Sequence, residues 1–196
     1  HIGDLAFVGC SALRYNEFDT CLYLGNDDNP YLALVKAKSK DITSCTINEK
    51  TKFICDNAFS GCTKLTNVVV PSSVTYVGEL AFGYCASLQY NTFDNGLYLG
   101  NSDNPYLIFF KITNQAITSC TINEQTKIIY DSAFDGCSNL TSVVVPNTVT
   151  QLGCFTFARC SALTSVEIPN SVTYIGRSAF YDCSKLTNVV IPNSIN

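Results

Sequence analysis

The sequence predicts a right-handed repeat solenoid, mostly β with short helical or 3-10 turns, in which strands from successive coils stack into a parallel sheet. Three observations predict it. A phrase Ala-Phe-x-x-Cys-x-x-Leu recurs along the chain, its copies fall at one fixed interval or at a second that resolves into two coils, and each copy opens an alternating apolar run ended in most coils by proline.

The phrase stands at Ala6 to Leu13, Ala58 to Leu65, Ala81 to Leu88, Ala133 to Leu140 and Ala179 to Leu186, and at 156 to 163 with Thr156 in place of the alanine. Its cysteines, Cys10, Cys62, Cys85, Cys137, Cys160 and Cys183, are spaced by 52, 23, 52, 23 and 23 residues, so the basic unit has 23. Leu13-Arg-Tyr-Asn16-Glu-Phe18 and Ile42-Thr-Ser-Cys45-Thr-Ile47 both fit the strand phrase, as do the matching runs at 88 to 93 and 117 to 122. Each 52-residue interval is therefore a 29-residue coil followed by a 23-residue coil.

Within a unit, Leu65-Thr-Asn-Val68-Val-Val70 has the period of two of a strand with one buried face, Leu65, Val68 and Val70 inward, Asn67 and Val69 outward. Proline at 71, 146, 169 and 192 lacks an N–H and ends the strand. Val74 and Val77 before Gly78 suit a second edge of the coil, and Ala-Phe-x-x-Cys is long enough for one helical or 3-10 turn. Eight strand-bearing coils are expected, ending near Phe18, Ile47, Val70, Phe93, Ile122, Val145, Ile168 and Ile191, in a single solenoid over 1–196. His1-Ile2-Gly3 aligns with Tyr174-Ile175-Gly176 in mid-unit and the chain stops in mid-unit, as expected of a piece of a longer protein.

The wide coils, about 13–41 and 88–116, share an Asp-Asn-Pro-Tyr-Leu phrase, complete at Asp28 to Leu32 and Asp103 to Leu107. Apolar runs flank it, Leu22 to Gly25 with Pro30 to Val35 and Leu97 to Gly100 with Pro105 to Phe110, so each reads as a β-hairpin. The runs are too apolar to expose, which puts the hairpin against the back of the coil. A loop tip binding calcium or a partner is the alternative; Asp27 and Asp28 offer oxygens, but Ser102 replaces the first of them and no EF-hand spacing is present.

Hydrophobic residues make up 46% and charged residues 14%, with no Met or Trp, an economy suited to a few repeated templates. No stretch is long and apolar enough for a membrane helix. Net charge −4 with a pI of about 4.8 leaves no basic stripe for nucleic acid. The sole histidine is His1 and no Cys-x-x-Cys occurs, so neither a zinc-finger spacing nor a Cys/His dyad can be assembled, and an enzyme ranks last among function classes; no cofactor is expected.

Leu163-Thr-Ser-Val-Glu-Ile-Pro-Asn-Ser-Val-Thr-Tyr-Ile-Gly-Arg-Ser-Ala-Phe-Tyr-Asp-Cys183 resembles the BspA-like subclass of leucine-rich repeats, and the resemblance runs along essentially the whole chain. It implies a leucine-rich-repeat solenoid of a cell-surface or secreted protein of bacteria or anaerobic protists, with a protein partner such as an extracellular-matrix or host surface protein, and no direct membrane insertion. The 29-residue coils depart from the family pattern, lacking the proline, the second apolar pair and the Ala-Phe-x-x-Cys turn.

Eleven cysteines admit two readings, buried free thiols or a disulfide scaffold. Equivalent side chains in stacked coils run parallel rather than towards each other and the total is odd, which favours free thiols; Cys45 and Cys120 align with inward Val68 and act as small hydrophobes.

Outward strand positions form two columns: Tyr15, Ser44, Asn67, Tyr90, Ser119, Ser142, Ser165 and Asn188, beside Glu17, Thr46, Val69, Thr92, Thr121, Val144, Glu167 and Val190. A solenoid offers such columns as an extended contact face. The candidate face comprises Tyr15, Glu17, Asn67, Val69, Tyr90, Thr92, Val144, Glu167, Asn188 and Val190, with Tyr15 and Tyr90 as anchors. Asn16 and Asn91 take an inward valine position and are expected to bond to backbone in the wide coil. A protein-interaction module is the first expectation, and a spacer displaying another domain the second.

Overall fold

Each coil is held by peptide groups that bond along the stack, to the coil before or after, alternating at the corners with bonds back along their own chain. The structure is a computed structural model that describes residue 10 and residues 12–195; Ala6 and Phe7 of the first repeat copy, and His1, lie outside the described residues. The chain forms two compact units, His1–Gln89 and Tyr90–Asn196.

In the first unit, β1 (Asn16–Phe18), β2 (Cys21–Leu24) and β3 (Ala33–Ala37) form an antiparallel meander. β3 then continues in parallel into β5 (Phe53–Ile54) and β7 (Tyr76–Val77), with Leu34 opposite Ile54 and Ile54 opposite Val77. β4 (Ser44–Thr46) and β6 (Asn67–Val69) pair in parallel on another side of the coil. The expected alternation holds: Val68 is 4% exposed and Val70 fully buried, while Asn67 is exposed.

The second unit repeats the plan. β8 (Asn91–Phe93), β9 (Gly96–Leu99) and β10 (Ile108–Ile112) form the meander, and β10 leads in parallel to β11 (Ile128–Ile129), β12 (Gln151–Leu152) and β14 (Tyr174–Ile175). β13 (Ser165–Glu167) pairs in parallel with β15 (Asn188–Val190), and bridges join Thr121 to Val144 and Val144 to Glu167. Both hairpins are therefore present. Their inner strands bury Tyr23 and Tyr98, and their outer strands, β3 and β10, start the back ladder.

The eight expected front strands are not one parallel sheet. β1 and β8 run antiparallel to β2 and β9, and the front ladder is built only from the 23-residue coils. At each break an aspartate stands in for the missing ladder partner. Asp19 accepts the amide hydrogen bond of Thr46 (2.6 Å), and Asp94 that of Thr121 (3.1 Å), so these carboxylates occupy donors that a neighbouring parallel strand would use. Both stand at the tight β1–β2 and β8–β9 turns in left-handed backbone, φ 49° and 50°.

The Ala-Phe-x-x-Cys segments are not helical; no helix occurs among the described residues. In a helix every amide looks back along its own chain. Here the amides alternate. Ala58, Ser60 and Cys62 bond back to Cys55, Asn57 and Phe59, while Asn57, Phe59 and Gly61 donate to Glu79, Ala81 and Gly83 of the next coil. The alternation needs left-handed residues just before the alanine and just before the cysteine: Asn57 and Gly61, Leu80 and Tyr84, Ser132 and Gly136, Phe155 and Arg159, Ser178 and Asp182.

The corner phenylalanines stack at the coil spacing. Phe59 lies on Phe82 at 5.3 Å, and in the second unit the corner residues Phe134, Phe157 and Phe180 continue a pile begun by Phe109 of β10, at 4.9, 5.1 and 5.5 Å with planes within about 15°. Each ring pair contributes about 0.5–1.5 kcal/mol beyond the area it buries.

Gly61 isolates the corner's backbone demand, since at φ 76° nothing lies within 4 Å of an added Cβ. Gly61→Ala is expected to destabilise by about 1 kcal/mol from the left-handed backbone alone, and Ser178→Gly to give a smaller change of opposite sign, because the glycine's freedom in the unfolded chain offsets part of the gain. Urea denaturation midpoints of the two variants check both.

Candidate interaction surface

Parallel register decides which outward residues stand together. In the second unit Thr121, Val144, Glu167 and Val190 lie side by side across successive coils, with Ser165 beside Asn188. Val144 is 75% and Val190 62% exposed, and Thr121, Glu167 and Asn188 are also exposed. In the first unit Thr46 stands beside a half-buried Val69, and Ser44 beside the exposed Asn67.

The rest of the expected face is engaged differently. Tyr15 is half-buried, with the Lys36 ammonium 5.2 Å from its ring centre. Tyr90 is half-buried against Phe110 at 4.8 Å, and Phe110 in turn stacks on Tyr130. Neither is the free-standing anchor that the strand period suggested, because side chains of β3 and β10 come alongside. Glu17 pairs with Lys38 at 2.8 Å, and Thr92 is exposed but belongs to the β8–β9 hairpin, opposite Leu97. Asn16 and Asn91 are exposed rather than inward, and each donates its side-chain amide to a backbone carbonyl of its own coil, Pro30 and Pro105, at 3.0 Å.

Sequence reasoning passed over the corner residues Leu80, Tyr84 and Tyr181, which are exposed large side chains, Tyr84 by 77%. Tyr84 and Tyr181 stand at variable positions of Ala-Phe-x-x-Cys and Leu80 just before the alanine, where the corner turns them to solvent.

The shared loop phrase is occupied with its own closure. The Asn29 backbone amide donates to Asn26 Oδ1, while its side chain accepts the Tyr31 amide and donates to the Lys50 carbonyl of the next coil; Asn104 does the same with Asn101, Tyr106 and Gln125. A Cβ on Gly25 would lie 1.9 Å from the Asn29 carbonyl oxygen, and on Gly100 2.0 Å from that of Asn104, so only glycine permits the turn. Among the described residues no group of three or more His, Cys, Asp or Glu side chains is placed to hold a metal ion.

Repeat-position thiols are donors as well as small apolar groups. Cys85, Cys160 and Cys183 hydrogen-bond the carbonyls of Phe59, Phe134 and Phe157, the phenylalanines one coil back, at 3.2, 3.2 and 3.0 Å. Burial is the main cause that keeps these thiols protonated, raising the pKa of Cys85 and Cys137 to about 11 and of Cys160 to about 12; burial likewise lifts Cys55 to about 11 and Cys120 to about 12. Burial also pushes the Tyr23 and Tyr98 hydroxyls up, while the amides of Asn48 and Asn123 donate to their oxygens.

Stacked short coils, parallel ladders and a repeated apolar template define a leucine-rich-repeat β-solenoid. A family model described as the BspA type leucine rich repeat region matches residues 37–102 and 109–196 in six copies, and the chain belongs to that family. Among solved structures it is similar to the T. pallidum leucine-rich repeat protein TpLRR, at 23% identity over 91% of this chain and 72% of that one, with a TM-score of 0.43. It is also similar to a leucine-rich repeat protein from Bacteroides ovatus (24% identity, 93% of this chain, 52% of that one, TM-score 0.40). The pneumococcal vaccine antigen PcpA matches at 19% identity over 79% of this chain, with a TM-score of 0.49. The chain spans about half the length of these last two, 52% and 46%. No curated protein matches it. No helix among the described residues is long and apolar enough to cross a membrane.

The raised thiols give stability an alkaline limit. An unfolded thiol ionises near 9 and the folded ones near 11 to 12, so the folded state holds protons that the unfolded state releases. The contribution is fully present below about pH 9 and is lost as pH rises from there through the folded values. The urea midpoint is expected to fall steadily above about pH 9, and less steeply in Cys160→Ala, which removes one of the shifted groups.

Proposed function

We propose that this chain is a protein-interaction module of a cell-surface or secreted protein, which holds a protein partner along the outward front residues of its coils. The observation that carries the reading is the row Thr121, Val144, Glu167 and Val190, in which parallel register sets two strongly exposed valines on either side of a carboxylate. An apolar–acidic–apolar row on a stiff ladder suits an extended segment or a flat protein face carrying a basic residue between apolar ones. Membership of a repeat family that builds scaffolds rather than catalytic pockets supports the same reading. The partner class we favour is extracellular-matrix or host surface protein.

The immobilised protein, screened against extracellular-matrix and plasma proteins at physiological salt, tests it. The double substitution Val144→Lys and Val190→Lys is expected to weaken a bound partner by about tenfold or more, since exposed positions at the centre of a contact commonly contribute over 1.4 kcal/mol together. Tyr15→Ser with Tyr90→Ser is expected to have a smaller effect, because those rings are half-covered by their own hairpins. Unchanged binding in the valine variant overturns the proposed row, and binding to no protein at all puts the spacer reading in its place.

A further inference from the structure

One thiol pair breaks the repeat's pattern. Cys21, in β2 of the first wide coil, and Cys45, in β4 of the coil that follows, are not equivalent positions, so the parallel arrangement that separates equivalent cysteines does not apply to them. Their Sγ atoms lie 3.1 Å apart, and the two residues are 0% and 1% exposed. The second unit supplies an internal control. Seventy-five residues on, Cys120 repeats Cys45, but Gly96 stands in place of Cys21. A Cβ there would meet the Phe109 ring at 2.6 Å, whereas the first unit has the smaller Leu34 where Phe109 stands. The first unit thus combines a smaller neighbour with a second sulfur in the vacated space.

We propose that Cys21 and Cys45 are a disulfide-forming pair, which on oxidation by a low-molecular-weight disulfide ties the β1–β2 hairpin to the first strand of the next coil. The two sulfurs need to close by only about an ångström to reach bonding distance. With the Cys21 S–H taken as the donor of this contact, which either sulfur could supply, the pKa of Cys45 is lowered and that of Cys21, by the same contact and by burial, is raised, which makes Cys45 the attacking thiolate. Because both sulfurs are buried, the step takes place in a local opening of the hairpin, in which Cys45 attacks one sulfur of the small disulfide, whose S–S bond breaks to release the first small thiolate and leave a mixed disulfide on Cys45. Cys21 then loses its proton to solvent and attacks the Cys45 sulfur, expelling the second small thiolate. Two protein thiols are oxidised by two electrons and one small disulfide is reduced to two thiols. The link would fix Asp19, two residues from Cys21, in its bond to the Thr46 amide, one residue from Cys45. The wide coil and its neighbour are then held both by that bond and covalently.

The reduced, folded protein, held in a glutathione redox buffer at mildly alkaline pH and then denatured without reduction, tests the pair. The thiol titre is expected to fall from 11 to 9, and tryptic digestion to yield the 15–36 segment linked to the 41–50 segment, two hydrogens lighter than their sum. The oxidised protein is expected to melt several degrees higher than the reduced one. Cys21→Ala is expected to keep all ten of its thiols under the same treatment. An unchanged titre of 11, or a fall that maps to any other pair, overturns the proposal, and so does an equal loss of thiols in Cys21→Ala. Because the decisive reading is a linked peptide from the wild-type chain, poor folding of the variant would not rescue it.

Discussion

The backbone bonds that run from coil to coil fix a single spacing, about 4.8 Å, that every repeated side chain must accept. Thr66 donates to Thr43, Thr75 to Lys52 and Gly78 to Ile54, each one coil back, while at the corner Phe59 and Gly61 donate forward to Ala81 and Gly83. Bonds of opposite polarity on different sides of the coil hold each turn from both directions. Flat rings tolerate that spacing well, which is why the phenylalanines pile up. A thiol suits the cysteine position because it is small enough to sit inside the turn and still reaches the carbonyl one coil away. Threonines follow the same rule, the hydroxyls of Thr66, Thr141 and Thr187 bonding to the carbonyls of Thr43, Thr118 and Thr164.

The wide coils show what happens when the template is interrupted. An antiparallel hairpin cannot present the same row of donors and acceptors as a parallel strand, so the adjoining 23-residue coil would be left with unsatisfied amides. One carboxylate per hairpin answers this. On the far side, the outer hairpin strand turns parallel again and re-enters the ladder, Ala33 opposite Phe53 and Ile108 opposite Ile128. The interruption is confined to the front, and the back of each unit is continuous.

The period of 23 and the inward set Leu65, Val68 and Val70 were legible because a strand's two-residue alternation survives in each copy. The hairpins were legible because two apolar runs flank a cluster of Asn, Asp and Pro. The corner conformation was not. A helical turn and a chain of alternating turns bury the same alanine, phenylalanine and cysteine, and they differ only in whether an amide finds its partner behind it or in the next coil. The candidate face was half legible for a similar reason. Strand alternation correctly turns Val144, Glu167 and Val190 outward, but the cover over Tyr15 and Tyr90 comes from Lys36 and Phe110, whose placement depends on register shifts in the hairpins, between Leu22 and Tyr23 and between Phe109 and Lys111.

The left-handed corner governs which changes of sequence a coil can absorb. Of its ten such positions among the described residues only Gly61 and Gly136 are glycine, and none is Val, Ile or Thr. Glycine takes that backbone most readily, Asn and Asp next, and side chains branched at Cβ least. Leu80, Tyr84, Arg159 and Asp182 all face water, and Arg159 also pairs with Asp135 of the preceding coil. The core is copied from coil to coil, whereas the side chains along this margin differ from one coil to the next. Chemistry along it can diversify between otherwise identical coils without disturbing the stack that carries it.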